Sequence, residues 1–178
     1  MRSTTLGYWA PRTLCERIMA TDVVVLMGSE SDWEVMKAAV ETLREFGVSH
    51  AARVLSAHRT PAELAAYVRE CDANGTQVFI AGAGAAAHLA GAVAAQTTRP
   101  VLGVPLATSD LSGLDALLAT VQMPAGMPVG TLAIGKPGAI NAALLAVSIV
   151  AAGRPELREK LSAKRAERAK EILSTKLC

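Results

Sequence analysis

Aromatic side chains, cysteine and, over much of the chain, charge are all in short supply. Two Trp, two Tyr and two Phe in 178 residues leave little with which to stack a flavin or unpaired bases. The three cysteines, Cys15, Cys71 and Cys178, lie far apart and form no CxxC pair. That argues against a disulfide scaffold or a zinc site and suits a reducing, cytoplasmic setting. A net charge of +2 provides no electrostatic footprint for nucleic acid. The 51% of hydrophobic residues is enough for a packed core and excludes a disordered chain. The length is that of one ordinary domain.

Between Gln77 and Val150 only Arg99, Asp110, Asp115 and Lys136 are charged, while the rest of the chain holds the other 30 charged residues. So charge-poor a segment cannot make a normal solvated surface. A membrane span is a poor explanation. The charge-free runs are broken by Gly and Pro or are Ala/Gly-rich with His88 near the middle, and they lack the density of large aliphatics that spanning helices need. Burial against further copies of the chain explains it better, and 34 Ala with 14 Gly allow close backbone packing. A homo-oligomer is therefore expected.

The first twenty residues carry Arg2, Arg12 and Arg17 against Glu16 and lack the apolar stretch of a secretory signal. They are expected to form a disordered extension, with Met19 as an alternative start. From Asp22 the pattern is regular. Strands are expected over 22–27, 50–55, 77–81, 101–104 and 129–134, with helices over 31–46, 61–74, 86–96, 112–121, 138–152 and 155–174. Ser31 with Glu34, and Thr60 with Glu63, are spaced as capping boxes, and Pro61 suits a first helical position. Alternating strands and helices imply a three-layer α/β sandwich, a five-stranded parallel sheet of order 2-1-3-4-5. Residues 21–153 would form this domain, and 154–178 an extra, highly charged C-terminal helix that could pack on a neighbouring copy.

Three polar loops each follow a strand and open a helix: Gly28-Ser29-Glu30-Ser31-Asp32, Ser56-Ala57-His58-Arg59-Thr60-Pro61, and Ala81-Gly82-Ala83-Gly84-Ala85-Ala86-Ala87-His88. In a parallel sheet they leave the same edge and ring the crevice where open α/β sheets bind ligands. Ser29, Ser31 and free helix-start N–H groups suit a phosphate, and Arg59 adds a charge that can fork onto one. Ser31 reads equally as a helix cap, and Arg59 as half of a surface ion pair. Asp32 could accept from ribose hydroxyls or complement a helix dipole. The Gly82/Gly84 loop lacks the third glycine of a dinucleotide fingerprint and instead lets a flat ligand approach the backbone. Of the histidines, His50 begins a strand and is structural. His58 is the acid/base candidate, and His88 either lines the pocket or is a hydrogen-bonded core residue. Two pocket histidines without suitable Cys or paired carboxylates make no metal site, and there is no Ser-His-Asp arrangement.

The stretches MGSESDW, VLSAHRTP, IAGAGAAAHLAG, GVPLATSDLSGLDALL, VQMPAGMPVGTLAIG and GAINAALLAVSIVA, spread over about residues 22–152, resemble the bacterial N5-carboxyaminoimidazole ribonucleotide mutase family of purine biosynthesis. The SAHRTP, HL and VQMP elements resemble that branch and not the one using free CO2. The resemblance implies a flavodoxin-like subunit of an octamer that needs no cofactor or metal. Its ribonucleotide substrate would come from an ATP-dependent carboxylating synthetase. It further implies that Ser29, Ser31 and Arg59 hold the phosphate and Asp32 the ribose. Ser56, Ala57 and His58 would face the migrating carboxylate, with His58 catalytic. The Gly82, Ala83, Gly84, Ala85 and Ala86 backbone would lie against the ring, and His88 and Leu89 would complete the pocket. Two residues depart from the family pattern: Ala85 stands where Gly is usual, and Ala90 where Pro is usual. A carboxylase using dissolved CO2 and a non-catalytic nucleotide-binding module are the rival expectations.

Overall fold

The computed structural model describes residues 21–176; the expectation for residues 1–20 falls outside them. Five parallel strands form one sheet in the order β2-β1-β3-β4-β5: β1 Val23–Met27, β2 His50–Val54, β3 Val78–Gly84, β4 Val101–Leu106 and β5 Gly130–Thr131. This is the expected flavodoxin-like arrangement. β1 and β3 are buried on both faces, as β-branched runs at the middle of a parallel sheet must be.

The helices are α1 Trp33–Phe46, α2 Pro61–Ala73, α3 Leu89–Ala94, α4 Leu114–Val121, α5 Lys136–Val150 and α6 Pro155–Ser174. One core lies between the sheet and α1 and α5, built on Val23, Val25, Met36, Leu43, Ala143 and Val147. The other lies under α2 and α3, built on Val24, Leu26, Leu64, Val68, Phe79 and Val93. By length and composition alone the Lys136–Gly153 stretch could cross a membrane. Its Ala139, Ala142, Ala143, Ala146 and Val150 are instead buried in the first core, which makes α5 a core helix here.

Several expected boundaries shift for physical reasons. β3 continues to Gly84 because Ala83 and Gly84 pair with Pro105 and Leu106 of β4, and a ladder needs only backbone. β5 shrinks to two residues, which pair with Leu102 and Gly103. α3 starts late because Ala85 is left-handed, at φ 48°. Ser31 and Glu34 form no capping box. A 3-10 turn at Glu30–Asp32 precedes α1, Ser29 caps that turn, and the Asp32 side chain reaches back to the Ser29 N–H. Glu34 pairs with Lys37 instead. Thr60 makes no side-chain cap either, although Pro61 does open α2.

Asp22 ties the far edge of the sheet together. Its carboxylate accepts from Ser49 Oγ at 2.6 Å, Gln77 Nε2 at 2.8 Å, and both Nη atoms of Arg154, at 2.8 and 2.5 Å. This joins the ends of three strands to the base of α6. Beyond it α6 is anchored by buried Leu157 and Leu161 and by Lys164 to Glu45.

Candidate active site

At the C-terminal edge of the sheet the loops after β1, β2 and β3 surround a cavity of about 400 Å³. Gly28, Ser29, Ser31, Asp32, Ser56 and Ala57 line it, joined by His58, Arg59, Ala83, Gly84, Ala86, Leu89 and Thr108. Eleven of the fourteen residues expected at the site are among them. Gly82, Ala85 and His88 are outside this lining. Gly82 sits inside β3, where a Cβ would collide with Met36 of α1, so glycine there serves helix–sheet packing. Ala85 forms the turn beyond Gly84, and His88 meets the site through His58. The remaining lining residue, Thr108, was not anticipated: it is a single polar residue after an apolar strand and belongs to no motif.

The β1 loop gathers hydroxyl donors for an anion. Ser29 Oγ and Ser31 Oγ are 2.9 Å apart, and Ser29 Oγ accepts from the Ser31 N–H at 3.3 Å. The loop is braced from below by Asp32 Oδ2, which accepts from the Ser29 N–H at 2.9 Å. Asp32 is only 6% exposed. Burial raises its pKa above the ordinary carboxylate value. The N–H groups of Ser29 and Gly28 and the charge of Arg59 oppose the rise without cancelling it.

The β2 loop is a turn organised around one hydroxyl. Ser56 Oγ accepts from His58 N at 3.3 Å, Arg59 N at 3.2 Å and Arg59 Nε at 3.3 Å. Thr60 Oγ1 closes the turn by accepting from the Ser56 N–H at 2.9 Å. Arg59 Nη2 donates to the Gly28 carbonyl at 2.6 Å. Arg59 makes no ion pair among the described residues. Its guanidinium is thus aimed across the β1 loop with its charge unneutralised, which suits a phosphate or carboxylate.

His58 Nε2 lies 2.8 Å from His88 Nδ1. His50, by contrast, bonds the Val48 carbonyl through Nδ1 at 2.8 Å and is structural, as expected. No group of three or more His, Cys, Asp or Glu able to hold a metal occurs among the described residues.

A flavodoxin-like sheet whose crevice holds an arginine without an ion pair among the described residues, beside an imidazole pair, defines a class. Residues 22–171 match the family model for AIR carboxylase, and the chain belongs to that family. Within it the chain is similar to proteins named N5-carboxyaminoimidazole ribonucleotide mutase. The one from Brucella melitensis is 57% identical over 75% of this chain and 82% of that protein. The one from Escherichia coli K12 is 52% identical over 85% of this chain and 89% of that protein. Among solved structures, Treponema denticola PurE superposes with a TM-score of 0.78 at 26% identity, covering 85% of this chain and 93% of that one.

Proposed function

We infer that this chain converts N5-carboxyaminoimidazole ribonucleotide into 4-carboxyaminoimidazole ribonucleotide, a step of purine biosynthesis. The observation that carries the reading is the single cavity that joins an anion-binding loop, an unneutralised arginine and His58. The relatives named for this reaction support it.

Ser29, Ser31 and Arg59 bind the phosphate, and Asp32 braces that loop and accepts from the ribose. Binding the remote phosphate fixes the ring. The backbone of Ala83, Gly84 and Ala86, with Leu89, lies against the imidazole. Ser56 and Ala57 shape the turn that presents His58 to the migrating carboxylate.

Protonated His58 gives its proton to N5. The N5–carboxyl bond then breaks, its electron pair stays on nitrogen, and CO2 is released inside the pocket. The enamine-like C4 attacks this CO2 to form the new C–C bond, and neutral His58 removes the C4 proton, restoring aromaticity. The proton count closes on one imidazole, and no electron sink is required. Such acid–base work contributes about 10²–10⁴ in rate, and confinement of CO2 adds an effective-molarity gain.

The working form is a cytoplasmic homo-oligomer, an octamer by family resemblance, fed by an ATP-dependent carboxylating synthetase. Leu111, Leu114, Leu118 and Val121 on and before α4 are 49–62% exposed, as expected of a face that another copy covers. Residues 21–153 form the catalytic domain, and α6 packs on a neighbouring copy.

The test is turnover of synthetic substrate in buffer containing isotopically labelled bicarbonate and CO2. Product free of label supports the intramolecular transfer. Label entering at the rate of turnover replaces it with a carboxylase that draws CO2 from solution.

A further inference from the structure

Thr108 follows β4, the fourth strand to deliver a loop to this edge of the sheet, and its side chain lines the cavity. It lies directly over Gly84: a Cβ at that position would overlap Thr108 Oγ1 and both of its carbons. Glycine at 84 thus admits the threonine side chain to the pocket wall. The Thr108 backbone N–H is spent on the Leu106 carbonyl at 3.1 Å. Its hydroxyl bonds no group among the described residues and remains available to a ligand.

The strand order says which part of a ligand it meets. The anion-binding groups come from the loops after β1 and β2, the flat glycine wall follows β3, and Thr108 follows β4. A nucleotide whose phosphate sits at Ser29, Ser31 and Arg59 must extend its base past the glycine wall toward β4. Its polar ring substituents therefore arrive at Thr108. We propose that the Thr108 hydroxyl donates a hydrogen bond to the reacting end of the substrate, holding the ring or its carboxylate in place. This inference rests on the function proposed above.

The experiment compares wild type with Thr108→Val, which keeps the shape and removes the hydroxyl, and Thr108→Ser, which keeps the hydroxyl. Each is assayed for turnover of the nucleotide and for inhibition by ribose 5-phosphate, which has the phosphate and sugar but no ring. Loss of one hydrogen bond to a charged or strongly polar group predicts a fall in kcat/KM of roughly tenfold to a hundredfold for Thr108→Val. Thr108→Ser should stay within about threefold of wild type, and ribose 5-phosphate should inhibit all three proteins equally. Thr108→Val with wild-type kcat/KM overturns the proposal, as does equal loss of ribose 5-phosphate affinity, because the residue then only shapes the pocket. A wild-type protein that binds ribose 5-phosphate but never turns over the nucleotide overturns the parent function, and the role of Thr108 falls with it.

Discussion

His58 Nε2 and His88 Nδ1 are 2.8 Å apart, with ring centroids at 4.9 Å and planes crossing at 86°. A contact this short needs one proton between the two nitrogens, so the pair cannot hold two positive charges in this geometry. His88 therefore fixes the orientation of the His58 ring. The cavity that His58 lines also holds the charged side chains of Arg59, on the same turn, and Asp32.

The role of His88 is tested by removing its ring nitrogen. His88→Phe should lower kcat by up to about 10²-fold, the scale of a misplaced catalytic group, while KM changes little. His88→Asn, whose side chain can still bond His58, should recover part of the rate. Steady-state kinetics decides. A kcat that does not move would reduce His88 to a bystander.

Arg59 has no carboxylate partner among the described residues, so its removal should be felt mainly in ground-state binding. Arg59→Ala is expected to raise KM by roughly 10- to 100-fold, the worth of a charge-assisted hydrogen bond, with kcat nearly intact. An unchanged KM would take the guanidinium out of the phosphate site.

Ala85 holds φ 48°, a conformation that costs a side-chain-bearing residue about 1–2 kcal/mol. Replacing it with Gly removes that strain but adds about 0.4–1 kcal/mol of unfolded-state entropy. Ala85→Gly should therefore leave stability unchanged or raise it by up to about 1.6 kcal/mol, read by urea denaturation. A loss greater than that would mean the Ala85 methyl is needed for packing. Ala90 poses no comparable conflict. It lies in the first turn of α3, where the proline usual in the family is tolerated as well.

Asp22 predicts an acid limit to stability. Burial pushes its pKa up, but the hydrogen bonds from Arg154, Ser49 and Gln77 and the Arg154 charge outweigh this and leave it below the ordinary value. The unfolded chain therefore takes up this proton first. The stabilisation is fully present above the unfolded carboxylate pKa and is lost as pH falls through the folded one. Thermal melts from pH 7 to pH 3 should show Asp22→Asn less stable at neutrality, by about 1–3 kcal/mol, and less sensitive to acid than wild type. Parallel acid dependences would discount the cluster. Asp32, with its pKa raised by burial, works in the opposite sense. Its folded form binds the proton more readily, so it favours folding as pH falls.

The strand order and most of the site were legible in the sequence because they rest on backbone requirements that leave a compositional trace. Buried β-branched runs announce strands, and short polar loops after them announce a ligand crevice. What stayed hidden depends on which of two similar groups wins a hydrogen bond. Ser29 and not Ser31 caps the first turn, because an extra 3-10 turn places Asp32 within reach of the Ser29 N–H. β3 extends through Gly84 because β4 is there to pair with it, a fact of tertiary structure. Thr108 carries no local signal. Only the rule that every loop after a parallel strand leaves the same edge could have singled it out.

The most direct test of the account concerns the proton carried by His58. His58→Asn and wild type are compared in turnover of synthetic N5-carboxyaminoimidazole ribonucleotide and in equilibrium binding of the product nucleotide. The account predicts turnover reduced by at least about 10²-fold with product affinity kept within a few-fold. Turnover that persists, or affinity lost in step with turnover, would contradict it.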